Sequence, residues 1–300
     1  MRLYEISAGL MLALLVVTIW GWITHQDNSI SSLWLFFSFV TGVTLMWVRK
    51  LRQKPADKVL SEDKRPPVLY LRSFKDDAIT SSLIDGSASP ISFTEEEYLV
   101  DVLNDFGPCI AIGQPGERLP GLGAARMYVA NDQWQDKVRE LLVWSRLVVL
   151  RAGKTRNFLW EVEQSIKSVN PLKIIILIPR MKNTYSQFRK LANSLFPKPL
   201  PETIENPNLS LGAVSLHGYL YFDEDWTSHF AKFEFRIPYW KRNMADPITY
   251  LLQNSLGPIY ERFGIPVPKT EGINVFVMAA AFLFSMFALL MFDRFLNPLG

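Results

Sequence analysis

Between residues 68 and 223 the chain alternates short apolar runs with longer amphipathic ones. "VLYLRSF" (68–74), "CIAIG" (109–113), "LVVLRAG" (147–153) and "KIIILIP" (173–179) are runs dense in Val, Ile and Leu, and "GYLYFD" (218–223) reads as a last strand. Between them lie stretches with helical spacing. In "TEEEYLVDVLNDFG" (94–107), Tyr98, Leu99, Val102, Leu103 and Phe106 share one face, with Thr94 and Glu97 as a capping box. Further helices are predicted at "DQWQDKVRELLVWSR" (132–146), "TRNFLWEVEQSIKSVN" (155–170, stopped by Pro171) and "TYSQFRKLANSLF" (184–196). Continuously apolar strands are buried on both faces, so helices must cover both sides of a parallel sheet. The pattern predicts an α/β fold, a flavodoxin-like doubly wound parallel sheet over residues 67–228. Such a sheet builds its site at the carboxyl ends of its strands. That accounts for the abrupt polarity after the first strand, where Ser73, Phe74, Lys75, Asp76 and Asp77 follow a buried run.

Outside this region the pattern changes. Residues 6–23, 33–48 and 273–292 are apolar and uncharged apart from their margins, near the length of a bilayer-crossing helix. Trp20, Trp22, Trp34 and Trp47 sit near the ends of the first two runs, where indoles favour an interface. No small-residue cleavage site follows the first run, so a hairpin (1–48) is expected rather than a cleaved signal. Residues 49–65 carry seven Lys and Arg, whereas the link between the first two runs has none. The expected protein is therefore multi-pass in a cell membrane: three transmembrane helices, the amino terminus and residues 49–272 cytoplasmic, the carboxyl terminus outside, and the lipid bilayer as partner. Residues 49–66 read as a basic linker. Residues 229–272 read as an amphipathic juxtamembrane segment, with a helix packed back on the domain as the alternative.

Composition narrows the rest. The chain has 300 residues, 49% of them apolar, a net charge of +3 and one cysteine, Cys109. No intrachain disulfide can form, and no basic cluster interleaved with aromatics points to nucleic acid. His25, His217 and His229 are scattered, so no metal site is expected. "GKT" (153–155) sits between a strand and a helix, but the glycine a P-loop requires is Val148. Lys154, Thr155 and the amides of that helix start remain candidates for a phosphate.

"LYLRSFKDD" resembles the first strand and loop of Toll/interleukin-1 receptor (TIR) domains of the membrane-anchored bacterial type. The following order is similar too: a helix ending at Gly107, a second strand with a Pro/Gly loop (114–123), the strand in "SRLVVLRAGKT", a helix with Trp160, Glu161 and Glu163, and "KIIILIP". The resemblance covers about residues 67–228. It implies cleavage of NAD⁺ at the nicotinamide bond, with NAD⁺ as substrate and no cofactor, in signalling linked to defence against infection. It also implies that a glutamate of the helix after the third strand is catalytic. The family's glutamate lies four residues after a tryptophan, a position held here by Gln164. Glu161 is the candidate and Glu163 the alternative; at about 200° apart on a helix, only one can face the site. Ser73, Phe74, Asp76, Asp77, Lys154, Thr155 and Trp160 are the expected ligand-binding set, for a nucleotide. A second, non-enzymatic reading is an adaptor that forms homo-oligomers through Pro115, Gly116, Pro120, Gly121 and Gly123. A third is a nucleotide sensor.

Overall fold

The computed structural model describes residues 51, 53–73, 94–113, 123–130, 132–181, 183–204, 215–233 and 247–268. Seven strands form one sheet: β1 (Val68–Leu71), β2 (Cys109–Gly113), β3 (Ala125–Tyr128), β4 (Leu147–Arg151), β5 (Ile174–Pro179), β6 (Leu216–Phe222) and β7 (Ser228–Lys232). Their order is β3-β2-β1-β4-β5-β6-β7. The first five are parallel; β6 and β7 are antiparallel additions beyond β5. The sheet is thus mixed rather than wholly parallel. Setting aside the edge strand β3, the parallel strands follow the flavodoxin-like order.

Helices cover both faces, as continuous burial of β1, β2 and β4 demands. One face carries α1 (Ala56–Glu62), α3 (Trp134–Trp144), α4 (Arg156–Ser168) and α5 (Thr184–Ala192), packed on Leu69, Leu71, Val148, Leu150 and Ile176. The other carries α2 (Glu95–Leu103), α6 (Pro247–Ser255) and α7 (Gly257–Arg262), packed on Val68, Tyr70, Leu147, Val149 and Ile175. The period of two along each strand deals alternate residues to the two layers. The capping box of α2 is present: Thr94 accepts from the Glu97 amide, and Glu97 accepts from the Thr94 amide.

The expectation of three transmembrane helices added to this fold is corrected. Among the described residues no helix is long and apolar enough to cross a membrane. The described residues form the α/β domain alone, and the multi-pass location drawn from those helices is not supported. The three apolar runs, 6–23, 33–48 and 273–292, lie outside the described residues.

Two segments join the domain more closely than their composition suggested. Within the basic linker, residues 56–62 form α1, and Arg65 donates to the carbonyls of Asn104 and Asp105 at the end of α2 (3.0 and 3.1 Å). A cation there meets carbonyls that the helix leaves unpaired. Gly107 (φ 154°) closes this corner; a Cβ on it would lie 2.3 Å from the Pro66 carbonyl oxygen.

Residues 247–262, read as a surface helix, pack back on the sheet. Leu252, Leu256, Ile259 and Tyr260 are at most 1% exposed, and the Tyr260 hydroxyl donates to Asp105 at 2.5 Å. The mixture of aromatic and basic residues had concealed an inward apolar stripe. Leu256→Ala is expected to lower the free energy of unfolding by about 2–5 kcal/mol, the cost of a cavity in a closed core. Urea denaturation checks this; a loss under about 1 kcal/mol would mean that α6 and α7 are peripheral.

Candidate functional site

Helix α2, which comes after β1 in the chain, packs on one face of the sheet and α4, which follows β4, on the other, although the two strands are neighbours in register (Leu71 beside Leu150). This is the switch point where such sheets open a crevice at their carboxyl ends. The two sides of this switch point differ in chemistry.

On the α2 side the charges are closed. Arg72 and Arg151 are the next residues outward from Tyr70 and Val149 on that face. They meet two consecutive glutamates in the first turn of α2. Arg72 Nη1 pairs with Glu96 Oε2, and Arg151 Nη1 pairs with Glu95 Oε1 at 3.0 Å. All four side chains are at most 6% exposed. The remaining valences go to neighbouring loops. Glu95 accepts from the Ser215 amide and from its hydroxyl (2.9 Å), Arg151 Nη2 donates to Ser215 Oγ (2.8 Å), and Glu96 Oε1 accepts from the Ala124 amide (3.4 Å). Gly123, at φ 128°, abuts the same glutamate; a Cβ there would lie 2.5 Å from Glu96 Cγ. Gly123 and Ala124 are therefore seated on a buried ion pair.

Two polar groups, one directly after β1 and one on α4, are unsatisfied among the described residues. Ser73 is 3% exposed, and its hydroxyl has no hydrogen-bond partner among the described residues. Glu161 lies on the inward face of α4 with Phe158, Val162 and Ser165 and is 7% exposed. Its Oε2 has no partner among the described residues, and burial pushes its pKa up to about 8. A carboxyl that is desolvated and unpaired is held neutral at pH 7, in readiness for a cation or a donor.

Glu163 points the other way and accepts from Lys167 at 2.6 Å on the exposed side of α4. Of the two candidates, Glu161 is the inward one. Thr155 is the N-cap of α4, but its side chain accepts no capping bond; Lys154 before it is exposed. Trp160 is not a free platform for a ring. Its ring packs edge-on against Trp134 (4.8 Å between centroids), with the Arg139 guanidinium 5.2 Å above it, which fastens α4 to α3. Phe74, Asp76 and Asp77 lie outside the described residues, as do Pro115, Gly116, Pro120 and Gly121. Cys109 is buried in β2, where burial raises its pKa. No group of residues fit to hold a metal ion occurs among the described residues.

Glu95, Glu96, Arg72 and Arg151 were missed as a site-forming set. The available signal was two carboxylates directly after an N-cap, with an arginine at the carboxyl end of two separate strands. In comparisons with known proteins, no family model, no curated protein and no solved structure matches this chain significantly.

Proposed function

We propose that this is a TIR-like domain that cleaves NAD⁺, with Glu161 as the catalytic carboxyl. The observation that carries the reading is the buried Glu161, whose Oε2 has no hydrogen-bond partner among the described residues, on the helix that follows β4 at the switch point. NAD⁺ brings a pyridinium cation. As the bond from ribose C1′ to the nicotinamide nitrogen breaks, the bonding pair leaves with neutral nicotinamide and positive charge develops on the ribose. Water then adds to C1′ and releases a proton, giving ADP-ribose. A carboxylate in a site of low dielectric stabilises that charge far better than one in water. The cationic substrate itself favours ionisation of Glu161.

The purified full chain should release nicotinamide from NAD⁺, measured by chromatography at high protein concentration. Because the ionised form acts, kcat/KM should rise with pH and level off above about 8, the pKa of Glu161 in the free protein. Glu161→Gln should lose at least about a hundredfold in rate, whereas Glu163→Gln should not change it. Absence of release by the wild type, or a fully active Glu161→Gln, would overturn the assignment.

A further inference from the structure

We propose that Trp134, Trp160, Arg139 and Gln164 form a clamp that keeps Glu161 turned inward and shielded from water, with Arg139 and Trp160 as its positioning residues. This deepens the reading of Glu161 as the working carboxyl and rests on it.

The clamp joins two neighbouring helices. Trp134, at the start of α3, meets the Trp160 ring edge-on at 4.8 Å between centroids. Further along α3, the Arg139 guanidinium lies 5.2 Å from the centre of the Trp160 ring, and its Nε donates to Gln164 Oε1 at 3.2 Å. Its Nη1 donates to Asp136 at 2.8 Å, so the plane of the group is fixed from two directions. A lysine could not do the same, since an ammonium has no plane to lay on the ring while its edge bonds to an amide.

The clamp borders Glu161. Gln164 lies one turn after Trp160, so the two share a stripe of α4. The buried face of α4 consists of Phe158, Glu161, Val162 and Ser165. At about 100° per residue, Glu161 is the member of that face nearest the stripe, about 60° from Gln164. Side chains lean toward the amino end of a helix, so Gln164 lies over the turn that carries Glu161. A carboxyl at the margin of a buried face meets water after a small turn of its helix, whereas one at the centre, where Ser165 stands, would not. Burial is the only cause of the raised Glu161 pKa, so no charge on α3, α4, α5 or the strands beneath enters it. The charged groups of α3 and α4 pair among themselves: Arg139 with Asp136, Lys137 with Glu140, and Lys167 with Glu163. The clamp therefore acts on Glu161 by excluding water and not by charge.

The test is the pH dependence of the full chain, read as urea midpoints at pH 5 and pH 8.5. The wild type should lose stability between them as Glu161 gives up its buried proton. Arg139→Met removes the planar group from an exposed position without touching the core, and Trp160→Leu removes the ring. Each should shrink the difference between the two midpoints by at least about half, because a hydrated Glu161 titrates nearer its ordinary range. The pH at which kcat/KM for NAD⁺ levels off should fall by at least about one unit. Trp160→Phe, which keeps a ring under Arg139, should retain the wild-type difference. In a Glu161→Gln background, Arg139→Met should lower both midpoints equally. A merely structural contact behaves otherwise: with Glu161 present, Arg139→Met and Trp160→Leu would lower the midpoint by the same amount at both pH values. That result, or a wild type whose profile runs parallel to that of Glu161→Gln, would overturn the clamp. A clamp that governs the stability profile of a protein that leaves NAD⁺ intact would stand, while the catalytic reading would fall.

Discussion

Replacing Glu161 by glutamine is expected to stabilise the protein, and to do so increasingly as pH rises. In the folded chain the Glu161 pKa stands at about 8, against an ordinary value of 4.5, and burial is the sole cause. Between those two values the folded state binds its proton while the unfolded state releases it. Unfolding is therefore favoured more at each step of rising pH, and stability drains away from about pH 4.5 to about pH 8. A displacement of that size corresponds to a loss on the order of 3–5 kcal/mol over the window. Glutamine keeps the shape, carries no proton to lose and removes the slope. Urea midpoints at pH 5 and pH 8.5 provide the measurement. The variant should match the wild type near pH 5 and exceed it clearly at pH 8.5. Parallel pH profiles for the two proteins would mean that Glu161 is solvated or paired, and would take the physical basis from its proposed role. A residue that costs stability while doing nothing for packing is expected at a site retained for function.

The parts of the fold that local pattern specifies were legible. β1, β2, β4 and β5 are runs too apolar for anything but a covered sheet, and Thr94 with Glu97 marked the start of α2. β3 was not legible: "ARMY" has a half-buried and an exposed end around buried Arg126 and Met127, and only pairing with β2 makes it a strand. β7, "SHFAK", is half-buried throughout and owes its place to β6. The antiparallel direction of β6 depends on the connection from α5, about which apolar content is silent. At the site, Glu161 was favoured over Glu163 for its nearness to the helix start, with Leu159, Val162 and Ile166 read as the packing set; the buried residues of α4 are instead Phe158, Glu161, Val162 and Ser165. The glutamates of α2 could not be assigned. Their partners are 24 and 56 residues away, and an isolated glutamate reads as a solvated surface residue.

Those two pairs are where single substitutions should be most damaging. Arg72–Glu96 and Arg151–Glu95 join β1 and β4 to the start of α2 and, through Ser215 and Ala124, to the chain before β6 and β3. Removal of one member leaves an ion in a region of low dielectric without its counter-charge. Arg72→Met or Glu95→Ala should each cost about 3–5 kcal/mol. Breaking the exposed Lys167–Glu163 pair should cost no more than about 0.5 kcal/mol. The buried losses should also be nearly the same at low and high salt, since screening ions do not reach them. Combining Arg72→Met with Glu96→Leu should recover much of the single-variant loss, because an apolar pair leaves no stranded charge. The double-variant cycle, read from urea denaturation, isolates the coupling. A cost below about 1 kcal/mol for Arg72→Met, or a double variant that loses the sum of its parts, would show that the arginine and glutamate do not depend on one another. With the coupling present, the contacts that Gly123 and Ala124 make with Glu96 stand only while Arg72 holds that glutamate.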